Sequence, residues 1–158
     1  MMKKLLTFAF ALFTTFAFAQ TFVSTTPENK KVVLEEFTGI SCTFCPDGHV
    51  IGQGLHDANP NDVFLINIHA GGYANPQGVG TDFRTSFGAA IDAQSGLAGY
   101  PAGTVNRHNF PGLEQGSAGA TAMGRANWAT AAAQVLTEAS PVNVAIQSSV
   151  DLSTGLVT

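Results

Sequence analysis

The fold and the chemistry of this chain are indicated most strongly by residues 32–46, VVLEEFTGISCTFCP. Val, Val, Leu and Phe run through the first six positions almost without interruption, which is typical of a strand covered on both faces of a sheet. Gly39–Ser41 predicts a turn, and Pro46 favours the first turn of a helix, where its missing N–H is not needed. Cys42 and Cys45 are the only two cysteines in 158 residues. A pair at this spacing, between a strand and a helix, indicates thiol chemistry.

The Cys42–Cys45 pair has three alternative roles: a redox pair, a structural disulfide or a metal site. A disulfide across a four-residue loop stabilises a protein by only about 2 kcal/mol or less, because so short a loop restricts the unfolded chain little. A zinc site would add His49 and either His56 or His69, but structural zinc needs four ligands and a second matched pair is missing. A redox role is therefore the leading interpretation, and we expect no metal and no cofactor.

The N-terminus has the pattern of a secretory signal peptide. The lysines at positions 3 and 4 form a positive n-region, Leu5–Phe18 an apolar h-region, and Ala17–Ala19 a small-x-small cleavage site. The apolar stretch of 14 residues is shorter than the roughly 20 that a spanning helix needs. We therefore predict a cleaved signal over residues 1–19 and an exported protein, with an uncleaved membrane anchor as the alternative.

The charge of the chain excludes one class of partner. The net charge is −4, and removal of the signal would leave five Lys and Arg against eleven Asp and Glu. This balance provides no basic patch to bind nucleic acid or anionic lipid. We therefore predict that the protein does not bind nucleic acid.

Apolar periodicity predicts an α/β fold in which strands and helices alternate around a small central sheet. A polar leader over residues 20–29, which contains Pro27, is predicted to be flexible, and residues 30–139 to form the domain. The predicted strands are 31–38, 63–69 and 102–107, and the predicted helices are 46–58, 81–94 and 123–139.

The last segment, residues 141–158, changes character. Apolar residues alternate with polar ones from Val142 to Leu152, Ser153–Gly155 predicts a turn, and Leu156 starts a second apolar run. This is a β-hairpin pattern cut off in its second strand. We expect a separate β-rich, sandwich-like domain to start here and to be truncated, so that the 158-residue chain is a fragment.

A thiolate at the start of a helix is stabilised by the helix dipole and by unpaired backbone N–H groups, which lowers its pKa. In C-x-x-C sites the first cysteine is usually the exposed nucleophile and the second the resolving thiol, here Cys42 and Cys45. The sequence places no Lys or Arg near this pair, while Asp47 would oppose thiolate formation. His49 is interpreted as a surface or helix-packing residue.

The chain resembles two groups of proteins, one within the other. The succession of a strand, C-x-x-C, a helix, a strand, a helix and a proline-led strand resembles a thioredoxin fold, a three-layer sandwich. More narrowly, VLEEFTG-x-x-C-x-x-CP followed by GYPAG (residues 99–103) resembles the Omp28-related outer membrane proteins of Bacteroidetes. That family combines a signal peptide, a thioredoxin-like domain and a β-rich C-terminal domain. The resemblance implies a protein of the periplasm, outer membrane or cell surface of a Gram-negative bacterium.

The resemblance also implies roles for individual residues. Cys42 and Cys45 match the redox pair. Pro101, preceded by Tyr100, matches the cis-proline that lies against the disulfide and offers backbone to a substrate. Glu36 lies six residues before Cys42, where thioredoxins place a buried acid that accepts the resolving thiol's proton. The alternative for Glu36 is a solvated strand residue.

Two functions follow from these expectations. The leading one is thiol–disulfide exchange on protein cysteines, with protein thiols and disulfides or envelope proteins as partners. The alternative is a binding or adhesion protein of the outer membrane or surface that keeps a thioredoxin-like scaffold with a structural disulfide. Ser41 in place of the usual Trp before the first cysteine favours the alternative.

Overall fold

The strand that precedes the cysteines lies at the centre of the sheet. In the computed structural model, which describes residues 23–157, β1 (Val32–Thr38) pairs in parallel with β2 (Val63–His69) along its whole length. On its other side, β1 pairs antiparallel with β3 (Ala102–Val105), which pairs antiparallel with β4 (Met123–Gly124). The order is β2-β1-β3-β4. The predicted signal peptide, residues 1–19, lies outside the described residues.

Helices cover both faces of this sheet. The first, α1 (Cys45–Ala58), connects β1 to β2, α2 (Ser86–Ser95) connects β2 to β3, and α3 (Trp128–Leu136) follows β4. One core cluster joins β1 to α3 and α1, and it contains Trp128, fully buried, with the even-numbered side chains of β1. A second cluster surrounds Phe37 on the opposite face, where Ile91 of α2 packs. The mixed α/β fold predicted from the sequence is confirmed at this level.

The first three elements match their predictions closely, and the later ones differ. The helix α2 begins at Ser86 and not near Thr81, because the side chain of Thr85 accepts a hydrogen bond from the Gly88 N–H and caps it. Phe83, predicted to lie on that helix, precedes it. The strand β3 ends at Val105, since the next two residues have left-handed backbone conformations (φ 52° and 50°).

The region around β4 was predicted wrongly. The alanine-rich segment from position 123 was expected to be helical, but Met123 and Gly124 form a short strand beside β3 and α3 starts only at Trp128. The indole N–H of Trp128 donates to the Met123 carbonyl at 3.2 Å. This contact places the start of α3 directly beneath the sheet.

The two glutamates of β1 lie on opposite faces of the sheet, and both are buried. Glu35 faces α2 and accepts hydrogen bonds from Arg107 at 2.7 and 2.5 Å and from the Thr104 hydroxyl at 3.2 Å. This carboxylate is therefore neutralised by a guanidinium. Glu36 faces α1 and belongs to the candidate site.

Contacts divide the chain into two units, Pro27–Val142, described above, and a second that includes residues 143–157. In the second unit, β5 (Val150–Asp151) pairs antiparallel with β6 (Leu156–Val157) around a turn in which Gly155 has φ 69°. The predicted hairpin is thus present but short, and the alternating residues 142–148 are not in a strand. The start of a larger β-rich domain at this point stays a prediction. No helix among residues 23–157 is long and apolar enough to cross a membrane.

Candidate functional site

Cys42 and Cys45 form a disulfide at the carboxyl end of β1. The helix α1 starts at Cys45, whose N–H donates to the Cys42 carbonyl at 3.4 Å, so Cys42 lies in the turn that precedes the helix. Cys42 is 8% exposed and Cys45 1% exposed. The predicted pair is therefore joined, and its first cysteine is the more accessible.

The turn that carries Cys42 is held against a second loop. The backbone N–H and the hydroxyl of Ser41 both donate to the Tyr73 carbonyl, at 3.0 and 2.8 Å. A Cβ added to Gly39 would lie 2.3 to 2.5 Å from backbone atoms of Tyr73 and Ala74. Only glycine permits this approach, so Gly39 fixes where the turn can lie.

Glu36 lies directly beneath α1, with a side chain that is only 6% exposed. A Cβ added to Gly48 would be 2.5 Å from Glu36 Oε1, and one added to Gly52 would be 3.8 Å from Glu36 Oε2. Residues three apart share a helix face, so Cys45 lies on the same face of α1 as Gly48, which is next to Glu36 Oε1. The alternative of a solvated strand residue is wrong.

His49 is the hydrogen-bond partner of Glu36, a role that the sequence analysis missed. Its Nδ1 is 3.1 Å from Glu36 Oε2, and its Nε2 is 3.3 Å from the Thr38 hydroxyl. The other carboxyl oxygen, Glu36 Oε1, is buried and has no hydrogen-bond partner among the described residues. The sequence indicates this pairing only indirectly, through a histidine in the first turns of a helix that follows a strand with a buried acid.

The surroundings of Glu36 alter its titration. Burial raises the pKa of Glu36 above its ordinary value, and the charge and hydrogen bond of His49 act in the opposite direction. Burial is the larger effect. A carboxyl group with a raised pKa keeps its proton to higher pH than an exposed one, which suits a group that exchanges protons.

We expect Glu36→Gln to raise the free energy of unfolding by about 1 kcal/mol at about pH 8, because a neutral amide replaces a buried carboxylate with an unpartnered oxygen. The folded-state pKa of Glu36 is raised, so the stabilising effect of its bound proton is complete below the unfolded pKa and is lost as the pH rises through the folded pKa. The difference between variant and wild type should therefore shrink at about pH 4. Urea unfolding of both oxidised proteins at the two pH values measures it. If Glu36→Gln were destabilised equally at both pH values, the protein would not be burying a charged Glu36 carboxylate at the higher pH.

Pro101, one of the two residues predicted to contact a substrate, lies on the same side of α1 as Glu36, next to Gly48. The Tyr100–Pro101 peptide bond is cis, and Pro101 is buried; its Cβ is 3.2 Å from the position of a Cβ on Gly48. Pro101 therefore abuts the first turn of α1. The Tyr100 hydroxyl donates to Asp92 at 2.8 Å, and burial and this contact raise the pKa of Tyr100. The phenol is thus engaged within the fold.

A cation lies close to the cysteines, contrary to the expectation from the sequence. Arg125 Nε donates to Asp47 in the first turn of α1, and the guanidinium lies 5.9 Å from the centroid of the Phe44 ring. Arg125 is 78 positions from Asp47 in the chain, so only the fold brings them together. The guanidinium thus places a positive charge beside Asp47, which offsets part of the opposition of that carboxylate to a thiolate.

The histidines considered for a zinc site are dispersed. His56 Nδ1 is 2.7 Å from the Val63 carbonyl, and His69 packs against Phe83 with ring centroids 5.1 Å apart. Within residues 23–157, no group of three or more His, Cys, Asp and Glu side chains could hold a metal ion. The residues that the structure brings together are therefore Cys42, Cys45, Glu36, His49 and Pro101.

The chain was compared with family models, with curated proteins and with solved structures, and none of the three comparisons found a match.

Proposed function

We propose that residues 30–139 form a thioredoxin-like domain whose Cys42–Cys45 pair exchanges disulfides with protein cysteines. The single observation that carries this proposal is the disulfide at the junction of β1 and α1, with a buried carboxyl group beneath the same helix. A C-x-x-C pair next to a parallel β-α-β unit is typical of thioredoxin-like redox sites. The elements that follow, with Pro101 at the start of β3, support the same proposal.

The proposed reaction proceeds through a mixed disulfide. With the pair reduced, the Cys42 thiolate attacks a substrate disulfide; a Cys42–substrate S–S bond forms, and the other substrate sulfur leaves with the electron pair and takes a proton. Cys45 then gives its proton to Glu36 and attacks Cys42 Sγ. The Cys42–Cys45 bond forms, the Cys42–substrate bond breaks, and the substrate leaves as a thiolate. The substrate is reduced by two electrons and the pair is oxidised; the reverse direction uses the same steps.

The local charges suit this division of roles. Cys42 precedes a helix N-terminus, where backbone N–H groups favour an anion, and the Arg125–Asp47 pair leaves no unpaired acid in the first turn of α1. Cys45 is more deeply buried than Cys42, which suits a thiol that attacks only within the protein. In this proposal the carboxyl group of Glu36, buried beneath the same helix, accepts its proton.

The location that we propose is the cell envelope of a Gram-negative bacterium, in the periplasm or at the outer membrane. The signal-like pattern of residues 1–19 and the resemblance to Omp28-related proteins support it. Disulfide chemistry also requires such an oxidising compartment when the pair acts as an oxidant. Partners would be protein thiols and disulfides.

A second function is favoured by a different observation. Ile40, Phe44 and Tyr73 are exposed around the disulfide, Phe44 to 63%. Exposed apolar side chains in one area mark a surface that binds another protein. In this alternative the chain is a binding or adhesion protein of the envelope, and the Cys42–Cys45 bond is structural.

Reduction of insulin by a small dithiol separates the two functions. We expect the wild-type protein to accelerate precipitation of the reduced insulin chains, and Cys42→Ser to reduce the rate to that of the dithiol alone, because the attacking sulfur is gone. Equal rates with wild type and variant would rule out exchange at this pair. Circular dichroism of both proteins checks that the variant is folded.

A further inference from the structure

His49 connects the buried carboxyl group of Glu36 to solvent. The side chain of Glu36 is 6% exposed and lies between β1 and α1, whereas the side chain of His49 is 41% exposed. The imidazole contacts Glu36 Oε2 through Nδ1 and is therefore in contact with the buried carboxyl group and with water at once. An acid that accepts a proton in each cycle must also release it, so it needs such a route.

The hydrogen bonds of His49 are compatible with proton transfer in both directions. When the Nε2–H donates to the Thr38 hydroxyl, Nδ1 carries a lone pair and can accept a proton from Glu36. When Nδ1 is protonated, the imidazolium donates to the carboxylate. Thr38 thus holds the ring in the orientation in which Nδ1 faces the acid.

We propose that His49 is the proton relay between Glu36 and solvent and thereby sets the pH dependence of the step in which Cys45 resolves the mixed disulfide. The proposal rests on the exchange function proposed above and assigns a residue to its second half. His49 acts through Glu36 and is a positioning and relay residue, not a catalytic one.

The relay returns Glu36 to its carboxylate form each time the mixed disulfide has been resolved. Cys45 Sγ–H transfers its proton to Glu36, and the thiolate forms the S–S bond with Cys42 while the substrate sulfur leaves with the electron pair of the broken bond. Glu36 then transfers the proton to His49 Nδ1, and the imidazolium releases a proton to water. The departing thiolate is protonated from solvent, so protons and electrons balance and no further reactant is needed.

Several other titratable groups among the described residues lie near His49. On its own helix, Asp57 lines the same shallow pocket, Cys45 lies one turn earlier, and Asp47 pairs with Arg125. On β2, His69 is close enough for the charge of His49 to lower its pKa, although burial lowers that pKa more. On β1 the acid is Glu36. Glu36 is therefore the carboxyl group in hydrogen-bond contact with His49, at 3.1 Å.

The test follows two phases of one reaction. Reduced protein is mixed with 5,5′-dithiobis(2-nitrobenzoate), whose yellow thiolate is released once when Cys42 attacks and a second time when Cys45 resolves the mixed disulfide. The rates of both phases are recorded over about pH 5 to 9 by stopped flow. The variant is His49→Gln, which keeps a polar side chain that can contact Glu36 but cannot carry a proton. The control is His56→Gln, the same substitution two turns later on α1.

We expect His49→Gln to slow the second phase about tenfold at about pH 7 and to flatten its pH profile, because general acid–base catalysis contributes at least this much when a proton path is lost. The first phase should change less than about twofold, and added imidazole should restore the second. His56→Gln should match the wild type in both phases.

Failure of the relay and failure of the proposed exchange function give different results. If the wild type releases both equivalents and His49→Gln keeps the wild-type pH profile, the relay is wrong while exchange stands. If the wild type releases the first equivalent and never the second, Cys45 does not resolve, and both the relay and the proposed function are overturned. A profile altered equally in His56→Gln also overturns the relay, since that change would arise from the helix and not from contact with Glu36.

Discussion

A Cys45→Ser protein is expected to accumulate as a covalent adduct between Cys42 and a substrate cysteine. Cys42 retains its position before α1 and its ability to attack, but the sulfur that would displace the substrate is absent. Reduced variant incubated with an oxidised, disulfide-containing protein should therefore form a stable complex. Non-reducing electrophoresis and mass spectrometry of the cross-linked peptide measure the yield and identify the cysteine.

The matched controls are the wild type and Cys42→Ser. The wild type should form the adduct only transiently, because Cys45 resolves it, and Cys42→Ser should form none through position 42. If Cys42→Ser forms as much adduct as Cys45→Ser, the roles of the two sulfurs are reversed or unassigned. Absence of any adduct in Cys45→Ser with several substrates would favour the structural role of the disulfide.

Gly39→Ala is expected to destabilise the protein by about 3 kcal/mol, at the upper end of the effects of overpacking. The added Cβ would lie 2.3 Å from the Tyr73 carbonyl carbon and 2.5 Å from the Ala74 nitrogen, and both are backbone atoms that cannot rotate away. The turn would have to move, and Cys42, whose N–H donates to the Gly39 carbonyl at 3.1 Å, would move with it. Urea unfolding measures the loss, and the insulin assay should show reduced exchange.

The control for Gly39→Ala is Gly54→Ala. A Cβ on Gly54 meets no atom within 4 Å, and the residue lies inside α1. The same substitution should therefore stabilise the protein, by about 0.5 to 1 kcal/mol, because alanine has the higher helix propensity. If both variants lost equal stability, the close approach of Gly39 to Tyr73 would not be the cause.

The first half of the fold could be predicted because each element carries its own local signal. The strand β2 was predicted with its observed bounds, and β1 and α1 within one residue, since apolar runs are bounded by turn residues and Pro46 marks the helix start. The start of α2 was predicted five residues too early, at position 81 and not at Ser86. Asp82 pairs with Arg84, and Thr85 caps the helix.

The candidate site could be predicted only where residues are close in sequence or carry a pattern. The Cys42–Cys45 pair could be predicted from its C-x-x-C spacing. The pairing of His49 with Glu36 and that of Arg125 with Asp47 depend on how α1 lies on the sheet and how the chain returns after β4. Local periodicity contains no information on either. The short strand β4 was missed for a related reason: two residues are too few to show alternation.

The reduction potential of the Cys42–Cys45 pair tests the central claim most directly. Equilibration of the protein with mixtures of reduced and oxidised glutathione or dithiothreitol, followed by alkylation and mass spectrometry, gives the fraction oxidised at each potential. We predict a value between about −120 and −270 mV, the range of proteins that exchange disulfides. A value below about −300 mV, which is typical of structural disulfides, would contradict the account.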